Sequence, residues 1–367
     1  MTARPKILVT SAAGKTGLPT ALQLLEKGFP VRAFVRSDDA RAARLRGAGA
    51  EIFIGNQYAL SHMRRAMQGI RRAYHCPPTA PNGLHFSAVF AVAAHDARLE
   101  HVVTLGQWLS SVDHPSLFTR EVHVSERLLD ALPDTTHTIV NPGWFADNYL
   151  MVLPLAAQLG ILAMPLGDGS VKKNAPPANE DIASVAAEAL ADPAQHAGQT
   201  YRPTGPELLS PDEIAVAFSK GLKRSVRYMA MSERMFLKAM KAVPPPNYSD
   251  AALTQLRLYA EEYRRGTFAV NAPTDVVRAI GGREPERMDS IVRRAAQAAD
   301  VRQSLGRQLG ALSDLVRIAL TKAPDPSRIS TAKDHVELSE PVFAQDCNAW
   351  RDSHENDREC NRIRRIA

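Results

Sequence analysis

From Lys6 to about Val140, short apolar runs alternate with longer segments whose apolar residues recur at helical spacing, and few folds accept that order. The strand candidates are residues 6–10, 31–35, 51–54, 72–75, 101–105 and 138–140. Between them, Leu18, Ala21, Leu22, Leu24 and Leu25 share one helix face, as do Val122, Leu128 and Leu129. Strand then helix, repeated, predicts an α/β fold, a doubly wound parallel sheet with helices on both faces. The strands are mostly apolar, as a sheet covered on both sides requires.

After Pro142 the pattern loosens. Gly167, Asp168, Gly169 and Ser170 mark a turn, residues 180–191 suggest a helix and 200–202 a short strand. Ser210, Pro211, Asp212 and Glu213 supply the cap, proline and acidic first turn of another helix. Residues 285–299 and 301–322 are further helix candidates; in the second, Val301, Leu305, Leu309, Leu312, Leu315 and Ile318 form an amphipathic stripe that suits either its own domain or a partner subunit. The expected division is a parallel-sheet domain over 1–150, a smaller region over 151–296 interleaved with it, and a helical then polar extension over 297–367. From Pro324 the charges mix, and the closing basic cluster, Arg362, Arg364 and Arg365, is expected to be a solvated, frayed terminus.

Composition narrows the function classes. Hydrophobic residues at 45% and charged residues at 23% give a core-forming chain rather than a disordered one. Three scattered cysteines, Cys76, Cys347 and Cys360, build neither a disulfide framework nor a zinc site, so a reducing cytoplasm is the expected location. A net charge of +6 spread over 367 residues tolerates an anionic ligand but is no nucleic-acid stripe. No run approaches the length of a membrane span, no metal-ligand spacing stands out, and Val9 stands where a Walker loop needs its first glycine.

Chemistry concentrates in the first strand-to-helix turn, Thr10, Ser11, Ala12, Ala13, Gly14, Lys15, Thr16 and Gly17. In a dinucleotide site such a turn brings backbone amides and the positive helix end onto the pyrophosphate. Ser11 holds the position of the first glycine, which it is expected to tolerate by keeping φ negative. Arg36 ends the second strand where an acid would hold the ribose hydroxyls, and its planar fork suits a 2′-phosphate. NADP(H) is therefore expected in preference to NAD(H).

Taken in order, residues 9–17, Arg36, Gly55 with Asn56, His123 through Glu126, Asn141 through Asn148, Asp181 through Ala183 and Gly198 through Tyr201 resemble the NmrA-like branch of the atypical short-chain dehydrogenases, over roughly residues 5–295. The resemblance implies a Rossmann domain that binds NAD(P), with a small C-terminal region over the nicotinamide. It also implies one of two roles: an NADPH-dependent reductase of quinones, dyes and related carbonyl or azo compounds, or a redox sensor that contacts a regulatory protein partner.

The usual reductase signature is absent. Thr119 and His123 stand where a typical short-chain dehydrogenase carries tyrosine and lysine, and Leu105, Gly106 and Gln107 occupy the stretch where it carries serine. Hydride transfer to a quinone needs mainly positioning and one proton, for which His123 is the candidate; alternatively it contacts the cofactor ribose. Asn56 is placed near adenine, Asn148 near the nicotinamide amide or a substrate oxygen, and Trp144 and Phe145 in the pocket wall. Cys76 reads as an unactivated thiol and Lys172 and Lys173 as a solvated pair. The expected function is an oxidoreductase passing hydride to a small conjugated acceptor; the alternative is a non-catalytic NADP(H) sensor, and a third option is a scaffold that has lost the cofactor.

Overall fold

The computed structural model describes residues 4–78, 82–244, 250–299, 301–325 and 338–355. The first half alternates as β1 (Ile7–Val9), α1 (Gly17–Glu26), β2 (Val31–Val35), α2 (Ala40–Gly47), β3 (Glu51–Ile54), α3 (Leu60–Ala66), β4 (Arg72–His75), α4 (Gly83–Ala97), β5 (His101–Leu105), α5 (Leu117–Asp130) and β6 (Thr136–Val140). Then come α6 (Ala146–Leu150), α7 (Leu153–Leu159), β7 (Ile161–Met164), α8 (Asn179–Ala191), α9 (Pro193–His196), β8 (Thr200–Tyr201), α10 (Pro211–Leu222), β9 (Arg227–Ala230), α11 (Glu233–Ala242), α12 (Asp250–Arg265), α13 (Val276–Ala279), α14 (Met288–Ala298) and α15 (Leu305–Leu320).

Seven strands form one parallel sheet in the order β3-β2-β1-β4-β5-β6-β8. Alternate side chains of each strand take opposite faces. Ile7 and Val9 join Val31, Val35 and Val103 against α1 and α8, whereas Leu8, Phe34, Ala73 and Val102 pack against α3 and α4. β1 lies between β2 and β4, so the winding reverses there and a crevice opens at the carboxyl ends of the strands. That crevice is where the first turn sits.

The chain beyond residue 150 both returns to this sheet, through α8 and β8, and builds a second core. Trp144, Tyr149, Leu162, Phe218, Tyr263, Phe268 and Ile291 fill it. Its two-stranded parallel sheet, β7 with β9, was not anticipated from the sequence. Ser210 starts α10 with a reciprocal capping box to Glu213, as its residues require. α15 packs on α7 and α11 of its own chain, leaving Leu305, Leu309, Leu312, Val316 and Leu320 exposed.

Residues 338–355, part of the polar extension, are docked on the rest of the chain. Trp350 is 3% exposed and donates from Nε1 to the Trp108 carbonyl at 2.8 Å, with the His354 ring stacked on it at 3.9 Å. Ala344 donates from its amide to Glu262 Oε1 at 2.9 Å, and Val342 to the Asp113 carbonyl at 2.8 Å. Burying one tryptophan contributes about 2–3 kcal/mol, enough to seat a short segment. Three or four anchors spaced through polar residues leave no periodic signal. The basic cluster Arg362, Arg364 and Arg365 lies outside the described residues, as does Cys360.

Candidate cofactor and active site

The turn between β1 and α1 is built by internal bonds at its start and left open at its end. Thr10 Oγ1 donates to the Tyr74 carbonyl and accepts from the Cys76 amide, and Ala12 donates to the Phe34 carbonyl. Ser11 has φ of +47°, which corrects the expected negative value: the left-handed conformation that usually selects glycine is held here by a serine. That geometry costs about 1 kcal/mol. Two bonds hold it, Ser11 Oγ to the Cys76 carbonyl at 2.8 Å and Ser11 N to Gln57 Oε1 at 2.8 Å. Gln57 carries no motif and escaped the sequence reading.

Past this point the amides are free. Gly14 donates to the Ser11 carbonyl at 2.7 Å, whereas among the described residues the amides of Ala13, Lys15, Thr16 and Gly17 meet no acceptor. Thr16 opens α1 without a side-chain cap, and the first turn holds no acid. Open amides at a helix start bind anions. A Cβ on Gly17 would stand 2.3 Å from the Ser11 carbonyl oxygen, so only glycine lets the helix enter so close to the loop. Lys15 Nζ pairs with Asp147 Oδ2 at 2.7 Å, tying the turn to α6.

Arg36 follows β2 at the same edge, exposed, with no hydrogen bond or ion pair among the described residues. Its acidic neighbours are already engaged: Asp38 pairs with Arg46, and Asp39 caps α2 and pairs with Arg41. Arg41 in turn donates to the Ala13 carbonyl at 3.1 Å. Arg36 is thus an exposed guanidinium whose acidic neighbours are paired elsewhere. Asn56 is exposed and its Oδ1 accepts from the Tyr58 amide at 2.9 Å, leaving its amide nitrogen outward. The open amides of the turn fit the diphosphate of a dinucleotide.

A buried polar cluster lies at the carboxyl ends of β5 and β6. His123, half-buried on α5, faces Ser110 Oγ with Nδ1 at 3.3 Å, and Ser110 Oγ stands 2.5 Å from Glu126 Oε2. Burial lowers the His123 pKa, with Arg127 adding to the effect. Burial pushes the Glu126 carboxyl up to about 7 against the opposing pull of Ser110, Arg127, Arg202 and Asn141. Gly106 makes room for this group, because a Cβ there would stand 2.1 Å from Asn141 Oδ1 and 2.2 Å from Glu126 Oε1. Gln107 Oε1 accepts from Thr119 Oγ1 and from the Tyr259 hydroxyl, so the places of the absent serine and tyrosine are filled by a bonded pair. Ser110 and Tyr259 sit in unremarkable sequence and were not singled out; Glu126 entered only as part of a motif.

The remaining nominated residues divide. Phe145 is half-buried and packs at the edge of the sheet core, and Asn148 is half-buried, its backbone amide on the Phe145 carbonyl and its side chain without a hydrogen bond among the described residues. Asp147, between Ala146 and Asn148, is the residue of this segment that pairs with Lys15. Trp144 is 2% exposed among Tyr149, Tyr259, Tyr263 and Phe268, so its ring belongs to the second core. Burial pushes the Cys76 thiol up to about 11, which keeps it protonated beside Thr16. Lys172 pairs with Glu213, and Lys173 donates to the Arg264 carbonyl. Among the described residues no group of three or more His, Cys, Asp or Glu is arranged to hold a metal ion, and no helix is long and apolar enough to cross a membrane.

Residues 3–272 match the model of the NmrA-like family. The chain belongs to that family. An NAD(P)H azoreductase of Xenophilus azovorans is 30% identical over 250 residues, 68% of this chain and 85% of that protein. An NADPH-dependent quinone oxidoreductase of Escherichia coli, solved in complex with NADPH, superposes with a TM-score of 0.66 at 22% identity, covering 78% of this chain and 99% of that one. A negative transcriptional regulator solved with NADP gives 0.65 at 18% identity, over 82% and 99%. Likeness at such identities establishes the NmrA-like Rossmann fold, and the family match stops before α13, so the docked tail lies beyond it.

Proposed function

We propose that this NmrA-like protein is an NADPH-dependent reductase that passes hydride to a small conjugated acceptor such as a quinone or an azo compound. The observation that carries this reading is the pairing of four unsatisfied amides, on Ala13, Lys15, Thr16 and Gly17, with the unengaged guanidinium of Arg36. The amides and the α1 dipole hold the diphosphate, and Arg36 takes the 2′-phosphate, which selects NADP(H) over NAD(H). The reduced nicotinamide supplies the hydride when bound. His123 supplies a proton or contacts the ribose, and Phe145 and Asn148 line the acceptor's side. The azoreductase relative and the quinone oxidoreductase likeness support this substrate class.

A second reading, a sensor of the NADP(H) state that contacts a protein partner, is favoured by one feature: Thr119 is fully buried and bonded to Gln107, so no hydroxyl takes the usual tyrosine's place. NADPH oxidation measured against a panel of quinones and azo dyes separates the two. The reductase reading expects turnover with at least one acceptor class; tight NADPH binding with no turnover on any would establish the sensor instead.

A further inference from the structure

We propose that Ser110 and Glu126 form a proton relay behind His123, so that the reduced acceptor draws its proton from a buried carboxyl group. This rests on the reductase reading above. The chain of contacts is continuous: His123 Nδ1 to Ser110 Oγ at 3.3 Å, and Ser110 Oγ to Glu126 Oε2 at 2.5 Å. Glu126 is 2% exposed, whereas His123 is half-buried and its Nε2 meets no partner among the described residues. One end of the chain is sealed and the other is presented.

The surroundings favour a neutral chain. Glu126 is faced by His123 and Arg127 from its own helix, Ser110 from the loop after β5, Asn141 after β6, Arg202 after β8 and Tyr259 from α12. Burial outweighs the two arginines, and the carboxyl holds its proton up to about pH 7. His123 is faced by Arg127 and Asp130 on α5 and by Asp113; burial dominates and favours the uncharged ring. A neutral imidazole gives up its Nε2 proton readily only if Nδ1 gains one in the same event.

The steps then balance. With the hydride that a bound nicotinamide would supply, the proton from His123 Nε2 completes a two-electron reduction of the acceptor. His123 Nδ1 takes the Ser110 hydroxyl proton, and Ser110 takes the proton from Glu126 Oε2. The imidazole ends neutral as the other tautomer, the serine ends unchanged, and Glu126 ends as a carboxylate within reach of the Arg202 charge. Water returns one proton through His123 before the next turnover.

The test compares wild type, Glu126→Gln, Ser110→Ala and the double variant, using NADPH with a quinone. Wild-type kcat is expected to fall as pH rises through about 7, while each single variant loses roughly 10- to 100-fold in kcat with little change in KM. Both singles should lose the alkaline decline, and the double should be no slower than either, as members of one relay behave. A second readout needs no cofactor. Between pH 4.5 and 7 the Tm of the wild type should fall with rising pH relative to Glu126→Gln, because the folded state holds a proton that the unfolded state has released. The relay is overturned if Glu126→Gln keeps the alkaline decline, if Ser110→Ala turns over like wild type, or if the Tm difference ignores pH. Should Glu126→Gln not fold, Ser110→Ala carries the kinetic comparison alone. A wild type that binds NADPH yet reduces no acceptor overturns the reductase reading, and the relay's kinetic role with it, whatever the Tm series shows.

Discussion

Gly17→Ala is expected to abolish measurable NADPH binding and to cost about 3 kcal/mol or more of stability. The added methyl would lie 2.3 Å from the Ser11 carbonyl oxygen, 2.9 Å from its carbon and 3.1 Å from Ala12 Cα. All three are backbone atoms of a segment held by bonds to Cys76 and Gln57, so nothing flexible can give way. The first turn of α1 must then swing out, taking the amides of Thr16 and Gly17 with it, and affinity should fall at least about 100-fold. Gly47→Ala is the control: no atom lies within 4 Å of its Cβ position, and in a helix the exchange should stabilise by up to about 1 kcal/mol. Thermal melts and calorimetry on both variants check this. A Gly17→Ala protein binding NADPH like wild type would mean the turn is not the diphosphate site.

Acid should unfold the protein steeply, but only below about pH 4. His75, His101 and His354 are buried, and burial pushes each pKa down to about 3. Their unfolded values lie near 6.5, so each withdraws about 1.4 kcal/mol of stability per pH unit as pH falls from there towards 3. Two buried carboxyls act in the opposite sense: Glu126, raised to about 7, and Asp181, raised to about 6. Each holds a proton in the folded state that the unfolded chain lacks until pH approaches about 4, so each adds stability as pH falls to that point. From pH 6 to 4.5 two such gains offset two of the three losses. Below about pH 4 the histidines act unopposed, and stability should drop by about 4 kcal/mol per pH unit. Urea midpoints measured from pH 7 to 3 would show a shallow slope and then a break. His75→Phe, set between Phe86 and Phe90, should soften the steep part by about one third. A slope that stays uniform across the whole range would contradict the assignment of neutral buried histidines.

What the sequence displayed and what it hid follow from the same physics. Strands buried on both faces are mostly apolar, so β1, β2 and β5 were visible as runs. β7 and β9 form a separate small sheet, and β9 is mostly exposed, with Arg227 and Met229 facing outward; no burial pattern distinguishes it from a loop. The glycines at 14 and 17 and the arginine at 36 carried the cofactor reading because each shape and charge is hard to replace. Ser11 misled, since its positive φ is stabilised by partners 46 and 65 residues away. Gln57, Ser110 and Tyr259 act through contacts that only folding creates, and a single polar residue in a loop announces none of them. The docked tail was illegible for a related reason: its anchors are few, and their complement, Trp108 with Glu262, lies elsewhere in the chain.

The Arg36 guanidinium, just past the end of β2, is the group that distinguishes NADPH from NADH. Calorimetric titration of NADPH and NADH into wild type and Arg36→Ala measures its contribution. Wild type should bind NADPH at least about 10-fold more tightly than NADH, and Arg36→Ala should weaken NADPH by roughly 10- to 100-fold while leaving NADH unchanged, the loss of one charge-assisted phosphate contact. Equal affinities in wild type, or an Arg36→Ala protein that binds NADPH undiminished, would contradict this role.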